Sequence, residues 1–243
     1  AVSVTPEYAV NGNATIIPFL PARDHKRLMD GAKGPNTGGM GAICPLDDVT
    51  DKMMAQFDKD ILQPTLNGLI KEKFDYRGFI FFGVMLTSTE PKLLEYNVRL
   101  GDPETQAVLP LMDFDFAAMC TAILNGKLKD FEFKWKKGYQ VAPVVVSGGY
   151  PEKYKKGCEI TVNDIVLKAS TAKIFIAGAV CGNRGVGDNL LTSGGRVLAC
   201  SAYGDSFKEA WERAYQGVSA VKFEDSFYRK DIGLPGAAES GKL

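Results

Sequence analysis

The sequence predicts an α+β fold from three observations. Two β-rich segments separated by a short turn predict a pair of strands over 79–87 and 92–97. Apolar residues at helical spacing predict helices over 51–73, 115–124 and 207–221. Further β-rich segments, which predict a second and smaller unit of mixed strands and helix, lie at 140–147, 173–180 and 196–203.

The elements of the first half follow from local signals. Residues 2–10 and 14–20 are expected to form a β-hairpin through Asn11-Gly12, a dipeptide typical of type I′ turns. Residues 21–45 are expected to form a long, glycine-rich loop with few core residues. The helix over 51–73 is expected to use Thr50 as its N-cap and to kink or split at Pro64.

A composition shift at 127–137, where lysines, acids and Trp135 mix without clear periodicity, predicts a boundary between domains 1–128 and 129–243. Ser206 is expected to cap the helix of the second domain. The tail, 235–243, is predicted to be disordered. Four polar residues near it are expected to face a ligand cleft: Tyr228, Arg229, Lys230 and Asp231.

The composition is that of a soluble globular protein. The chain has 243 residues, 45% of them hydrophobic and 24% charged, which is enough to build a core. Lysine plus arginine equals aspartate plus glutamate at 29 each, so no overall field recruits nucleic acid or a membrane. The 5 cysteines lack C-x-x-C spacing, which indicates a reducing compartment and a cytoplasmic location.

The strand over 92–97 carries the strongest functional signal. Side chains alternate along a strand, so Glu95 and Asn97 are expected on one face with Arg99 beyond them. Mg²⁺ prefers carboxylate and carbonyl oxygens and completes its shell with phosphate, and arginine binds phosphate through a planar fork. This pattern predicts a metal and nucleotide site. The alternative is the end of an exposed edge strand. After Gly101, Asp102 and Pro103 are expected to be the N-cap and the first position of a helix that runs through 105–112.

A second functional signal lies within 21–45. Glycines beside Thr37 can turn successive backbone N–H groups toward an anion, and Lys26 adds positive charge. His25, the only histidine, stands in a polar segment and is expected to contact a substrate rather than to be structural. A disordered loop is the alternative interpretation.

These residues carry a family resemblance. The signatures are Asp24-His-Lys-Arg27, Gly34-Pro-Asn-Thr-Gly-Gly-Met-Gly41, Glu95-Tyr-Asn97, Gly101-Asp-Pro-Glu104, Ser147-Gly-Gly-Tyr-Pro151, Ser193-Gly-Gly-Arg-Val197 and Phe227-Tyr-Arg-Lys-Asp-Ile-Gly233. Together they resemble the glycinamide ribonucleotide synthetase (phosphoribosylamine–glycine ligase) family of ATP-grasp ligases. The resemblance implies the C-terminal half of an ATP-grasp domain followed by a smaller α+β domain. It also implies ATP-dependent ligation of glycine to 5-phosphoribosylamine through a glycyl phosphate, in purine biosynthesis.

The resemblance also implies roles for single residues. Arg99 and Asp102 are expected to be catalytic, and Glu95 and Asn97 to bind Mg²⁺ or Mn²⁺. Lys26, Glu95 and Asn97 are expected to bind ATP. The expected substrate-binding residues are Asp24, His25, Lys26, Thr37, Gly38, Gly39, Met40, Gly41, Asp102 and Glu104.

Two alternatives remain open. One is another ATP-grasp carboxylate ligase, such as a carboxylase that uses bicarbonate. The other is a fragment that is inactive alone and acts only as a binding module. Because members of the family are longer, the chain is expected to be a fragment that needs the amino-terminal part of the ligase. Its other expected partners are the small substrates.

Overall fold

A computed structural model describes residues 1–87, 89–182 and 189–237. Helices mix with sheets in which every described pairing is antiparallel, and this confirms the α+β prediction. The strands are β1 (Val2–Val4), β2 (Thr15–Ile16), β3 (Arg23–Asp24), β4 (Arg27–Met29), β5 (Lys33–Asn36), β6 (Gly41–Cys44), β7 (Tyr76–Gly78), β8 (Phe81–Leu86), β9 (Pro91–Asn97), β10 (Tyr139–Val146), β11 (Glu159–Val162), β12 (Lys173–Ile176), β13 (Ala179–Cys181), β14 (Leu190–Thr192), β15 (Arg196–Gly204) and β16 (Val221–Lys222). The α-helices are α1 (Pro6–Asn11), α2 (Asp51–Phe57), α3 (Gln63–Lys71), α4 (Thr105–Val108), α5 (Phe116–Leu124), α6 (Asp164–Ser170) and α7 (Phe207–Ser219).

The predicted amino-terminal hairpin is wrong in the segment that connects its two strands. β1 does pair antiparallel with β2, but α1 lies between them. The Thr5 side chain accepts a hydrogen bond from the Tyr8 N–H, and Pro6 is a favourable first helical residue. Gly12 has φ +76° and ends the helix, so Asn11-Gly12 is a C-terminal helix cap rather than a type I′ turn.

The helical segment predicted over 51–73 is confirmed in three pieces. Thr50 caps α2 by accepting from the Met53 N–H. A π-helix, Asp58–Leu62, then joins α2 to α3, and Pro64 lies in the first turn of α3. The irregular turn directly before Pro64 agrees with the predicted interruption, since proline has no N–H for the helical ladder.

The central sheet has the strand order β12-β15-β10-β6-β3. Helix α7 packs on β15 and β10, and Ser206 caps it as predicted. On the other face α4 packs against β6 and β10, where Ala42, Cys44, Ala107 and Ala142 are buried together. Strands from both sides of the proposed boundary at 128/129 thus share one sheet.

The predicted loop over 21–45 is instead a set of short strands. β4 and β5 form a hairpin, and β6 is an interior strand of the central sheet, paired with β10 and β3. Met40 and Cys44 are fully buried. The glycine-rich composition misled the prediction because small residues here permit close packing: a Cβ at Gly41 would lie 2.9 Å from the Pro143 Cα.

The segment 228–231 anchors the carboxyl-terminal part of the described chain. The fully buried Arg229 guanidinium donates two 2.8 Å bonds to Asp231 and also bonds the carbonyls of Arg27 and Ala237. Its predicted position facing the cleft is therefore wrong. Ala237 is buried, so the predicted disorder fails over 235–237. The rest of that prediction, 238–243, lies outside the described residues.

The remaining sheets are smaller. One has the order β2-β1-β7, another β13-β14-β11-β16, and β8 pairs with β9 alone. Over the described ranges, no helix combines the length and apolar character that crossing a membrane requires.

Candidate active site

A cleft of about 850 Å³ lies between the β8–β9 hairpin, α2 and the segment that leads into β3. Most of its lining is apolar. Among the charged residues that also line it are Asp24, Lys26, Glu95, Arg99 and Glu104. They come from the two chain segments that carry the functional signals in the sequence, 21–45 and 92–104. An apolar cleft with a few convergent polar groups is the usual form of a small-molecule site.

The β8–β9 hairpin places Glu95 and Asn97 on one face. Their partners in β8 are Gly83 and Phe81, with regular pairing between them. Tyr96 points the other way, with its ring 5.3 Å from the Phe82 ring. The predicted strand pair and its alternation are therefore confirmed. Gly83 also leaves room for Glu95, because a Cβ there would lie 2.7 Å from the Glu95 Cγ.

Arg99 links the end of β9 to the turn that follows. Its Nη1 donates to the Leu100 carbonyl at 2.9 Å, and its Nη2 lies 3.5 Å from the Asn97 Oδ1. The second contact is long and leaves the Asn97 amide oxygen weakly engaged. Glu95 and Arg99 are both exposed to the cleft.

The donor set fits a hard cation that shares its shell with phosphate. Within 1–87, 89–182 and 189–237, no three His, Cys, Asp or Glu side chains form a metal-binding cluster. Glu95 and Asn97 offer only one carboxylate and one amide oxygen. Mg²⁺ is commonly bound by one or two protein oxygens together with water and substrate phosphates, and this pair meets that requirement.

Asp24 is a buried acid that lines the cleft. The Asp24 side chain is only 5% exposed, and its Oδ2 lies 2.5 Å from the Lys26 Nζ. Burial raises the pKa of Asp24 to about 7, and the nearby Glu104 carboxylate adds to the rise. Lys26 and Arg196 oppose it. Asp24 can therefore exchange a proton near neutral pH.

Glu104 and Lys26 complete this charged group. Glu104 is buried, and that burial raises the pKa of its carboxyl group. Burial lowers the pKa of Lys26, but the carboxylates of Asp24, Glu104 and Glu95 outweigh it and the net pKa is raised. Lys26 is thus a fixed positive charge between acids from both selected segments.

His25 has a structural environment. It is 1% exposed, its Nδ1 lies 3.1 Å from the Gly41 carbonyl, and its Nε2 accepts from the Gly233 N–H at 3.0 Å. Burial lowers the pKa of His25 to about 4, so the ring is neutral. Both ring nitrogens are engaged by backbone groups, so neither of them is free to make the expected hydrogen bond to a substrate.

The segment 37–41 does not form the predicted anion-binding loop. The Thr37 N–H donates to the Lys26 carbonyl at 2.8 Å, and the Gly38 N–H donates to the Tyr150 Oη at 2.9 Å. The Gly39 N–H donates to the Thr37 Oγ1 at 3.0 Å, and the Met40 N–H to the His25 carbonyl at 2.9 Å. These N–H groups are therefore used inside the protein, and buried Met40 belongs to the core.

Asp102 does not cap a helix. A cis peptide bond joins it to Pro103, and α4 begins at Thr105 after Glu104. The Asp102 carboxylate instead accepts from the Gln106 Nε2 at 2.9 Å and the Arg196 Nη2 at 3.0 Å. The helical range over 105–112 is otherwise matched by α4 and the 3₁₀ turn Leu109–Leu111.

Two residues beside this turn, Arg196 and Tyr150, were not among the site residues predicted from the sequence. Arg196 is the first residue of β15, and Tyr150 lies in the chain segment that connects β10 to β11. Both stand in signatures of the second half, Ser193-Gly-Gly-Arg-Val197 and Ser147-Gly-Gly-Tyr-Pro151. The signatures could have drawn attention to Tyr150 and Arg196, but their contact with Gly38 could not be predicted, because Gly38 is 112 and 158 residues away in sequence.

Comparison with known proteins identifies the family. Residues 3–105 match the model of the phosphoribosylglycinamide synthetase ATP-grasp (A) domain, and residues 140–235 match that of the C domain. The chain belongs to the phosphoribosylglycinamide synthetase family. The predicted resemblance is thereby confirmed, and the cleft residues 24, 26, 95, 99 and 104 all lie in the part matched by the ATP-grasp model.

Individual relatives agree with this assignment. The chain is 46% identical to a phosphoribosylamine–glycine ligase of Clostridium acetobutylicum over 225 residues, which are 93% of the chain and 52% of that protein. It is 41% identical to the human trifunctional purine biosynthetic protein adenosine-3, covering 90% of the chain and 21% of that protein. The chain spans about half the length of the phosphoribosylamine–glycine ligases it matches.

Solved structures show the same fold. The crystal structure of phosphoribosylamine–glycine ligase from Thermotoga maritima matches with a TM-score of 0.74 at 37% identity, over 88% of this chain and 51% of that chain. The Kluyveromyces lactis urea carboxylase matches with a TM-score of 0.55 at 12% identity, over 78% of this chain and 16% of that chain. The second likeness concerns the fold alone.

Proposed function

We propose that the chain forms part of an enzyme that ligates glycine to 5-phosphoribosylamine at the expense of ATP, giving glycinamide ribonucleotide for purine biosynthesis. The observation that carries this proposal is one cleft in which Glu95 and Arg99 face the same space as Asp24, Lys26 and Glu104. The phosphate-binding chemistry and the buried acids thus serve one reaction. The names of the relatives support the choice of substrates.

Glu95 and Asn97 would bind Mg²⁺ or Mn²⁺ together with the ATP phosphates. The metal, when bound, supplies neutralisation of phosphate charge. Arg99 extends from the same strand end, and its guanidinium stabilises the phosphoryl group during transfer to the glycine carboxylate. Transfer to that carboxylate gives a glycyl phosphate, and the amine of phosphoribosylamine displaces the phosphate.

Lys26, Asp24 and Glu104 belong to the substrate side of the cleft. The Lys26 ammonium attracts the negative groups of ATP and substrate, and its own pairing with Asp24 keeps it oriented. Asp24 and Glu104 provide acceptors for an amine and for the proton that it releases. Asp102, proposed from the sequence as catalytic, acts through the turn that leads to Glu104.

The proposal includes a partner and a location. The remaining part of the ligase, which the matched relatives carry outside the matched half, would complete the nucleotide site. No nucleic acid or membrane takes part. The expected location is the cytoplasm, in keeping with the small-molecule substrates.

A chimeric ligase tests the proposal. The chain replaces the matching 52% of the C. acetobutylicum ligase. ADP and glycinamide ribonucleotide are then measured with glycine, phosphoribosylamine and Mg-ATP. We expect glycine-dependent product, and a loss of roughly 100-fold in turnover for Glu95→Gln because one charged group at the phosphates is removed. Glu90→Gln is the matched control, since Glu90 precedes the same strand and pairs with Lys92.

Each contrary result has a clear meaning. Near-normal turnover by Glu95→Gln would exclude the metal role of Glu95. Product formed from bicarbonate in place of glycine would favour another ATP-grasp ligase. Full turnover by the chain alone would overturn the need for the rest of the ligase.

A further inference from the structure

Arg196 connects the C-domain part of the chain to the cleft. It begins β15, yet its guanidinium bonds to Gly38 and Asp102, which lie in the part matched by the ATP-grasp model. Its Nη1 donates to the Gly38 carbonyl and to the Asp102 carbonyl, each at 2.7 Å, and its Nη2 donates to the Asp102 Oδ2 at 3.0 Å. The partners are 158 and 94 residues away in sequence.

Both segments bound by Arg196 lead directly to an acid of the cleft. Gly39, next to Gly38, packs against Asp24: a Cβ at Gly39 would lie 2.6 Å from the Asp24 Oδ1 and 2.5 Å from the Pro103 Cδ. On the other segment, Asp102 is followed by Pro103 and then by Glu104. One guanidinium therefore fixes the backbone behind both carboxyl groups.

Tyr150 strengthens this attachment from the same side. Its hydroxyl accepts from the Gly38 N–H at 2.9 Å, so both peptide groups of Gly38 are bound by the C-domain part. A Cβ at Gly38 would lie 3.1 Å from the Arg196 Cζ and 3.1 Å from the Tyr150 Oη. Glycine thus lets the guanidinium and the phenol approach the backbone closely.

Arg196 also acts on the acids by its charge. Its positive charge opposes the rise in the pKa of Asp24 and of Glu104. The other groups that act on Asp24 are Glu104 and Lys26, and those that act on Glu104 are Lys26 and Asp102.

We propose that Arg196 is a positioning residue of the cleft, which sets the placement of Asp24 and Glu104 by binding the backbone of Gly38 and Asp102 from the C-domain part. The catalytic value of that placement rests on the proposed function. The binding of Gly38 and Asp102 does not, and it is tested without any substrate.

The test compares Arg196→Gln, Arg196→Lys and wild type in the free chain by NMR. Amide hydrogen exchange is followed at Gly38 and Gly39, and carboxyl carbon chemical shifts of Asp24 and Glu104 are followed from pH 4 to pH 9. For Arg196→Gln we expect roughly tenfold faster exchange at Gly38 and Gly39, since charged hydrogen bonds to this segment are lost. We also expect a higher pKa for both acids.

Arg196→Lys separates geometry from charge. An ammonium keeps the positive charge but lacks the planar fork that reaches two carbonyls and a carboxylate together. Exchange at Gly38 should therefore stay fast, while the two pKa values return toward wild type. This pattern would not arise from a general loss of stability, and it decides the question even where Arg196→Gln fails to fold.

Arg213→Gln is the matched control. Arg213 also donates to a backbone carbonyl, that of Tyr203 at 3.0 Å, and pairs with Glu209 at 2.7 Å. It should change neither readout at the cleft. Exchange at Gly38 and Gly39 that stays at the wild-type rate in Arg196→Lys would overturn the proposal, whatever the chimeric ligase shows.

Discussion

Asp24→Asn should change how the stability of the chain depends on pH. Burial raises the pKa of Asp24 in the folded protein to about 7, against an ordinary value of 3.8. An acid with a raised folded pKa contributes stability that is fully present below the unfolded pKa and is lost as pH rises through the folded pKa. Asparagine cannot ionise, so the variant does not lose this contribution to stability as pH rises.

The size of the effect follows from the difference in pKa. About 3 pKa units separate the folded and unfolded values, and each unit is worth about 1.36 kcal/mol. The free energy of unfolding of the variant minus that of wild type should therefore rise by about 4 kcal/mol between pH 4 and pH 8. At a fixed pH the difference can have either sign, because the amide makes its own contacts.

Urea unfolding at half-unit steps of pH measures this difference. His25, with its pKa lowered to about 4, contributes stability that is lost as pH falls below its ordinary 6.5, the opposite direction. It is present in both proteins, so it cancels in the difference. Asp48→Asn is the control, because the Asp48 carboxylate is 61% exposed and pairs with Arg23 at the surface. A variant-minus-wild-type difference that is flat or falls with pH would refute the reasoning.

Two further predictions concern stability. Gly39→Ala should destabilise by about 2–4 kcal/mol, because the residue has φ +124° and its Cβ would lie 2.5 Å from the Pro103 Cδ; Gly68→Ala, in α3 with nothing within 4 Å, should stabilise by about 0.5–1 kcal/mol in the same urea titration. Arg229→Met should cost about 3–5 kcal/mol, since Asp231 would lose its buried partner. Arg77→Met, at an exposed pair, should cost under about 1 kcal/mol, and equal losses at the two arginines would contradict the assigned role of burial.

Local signals predicted the elements whose causes lie within a few residues. Thr50 and Ser206 cap helices because each side chain reaches an N–H three residues ahead. Strand alternation likewise placed Glu95 and Asn97 on one face. The wrong prediction at Asn11-Gly12 also has a local cause, because a left-handed glycine ends helices as readily as it makes hairpin turns. The preceding Thr5-Pro6, which starts α1, favours the helix end.

The roles of single residues in 21–45 depended on partners that the sequence does not reveal. His25 is isolated in its polar segment, yet Gly233 binds its ring from 208 residues away. The glycines of 34–41 fit an anion loop equally well as a close-packed strand end. The choice was made by Tyr150 and Arg196, which bind the peptide groups that an anion would have used.

The sequence by itself determined the family, the α+β class and the strand that carries Glu95 and Asn97 and leads to Arg99, because signatures and side-chain alternation are properties of short segments. Only the tertiary structure decided which of the other selected residues line the cleft and which support it. The physical reason is burial: the pKa of Asp24, the neutrality of His25 and the attachment made by Arg196 all depend on groups that folding brings together from distant parts of the chain. Residues that become neighbours only in the fold exclude water and occupy hydrogen-bonding groups, and local sequence patterns do not predict them.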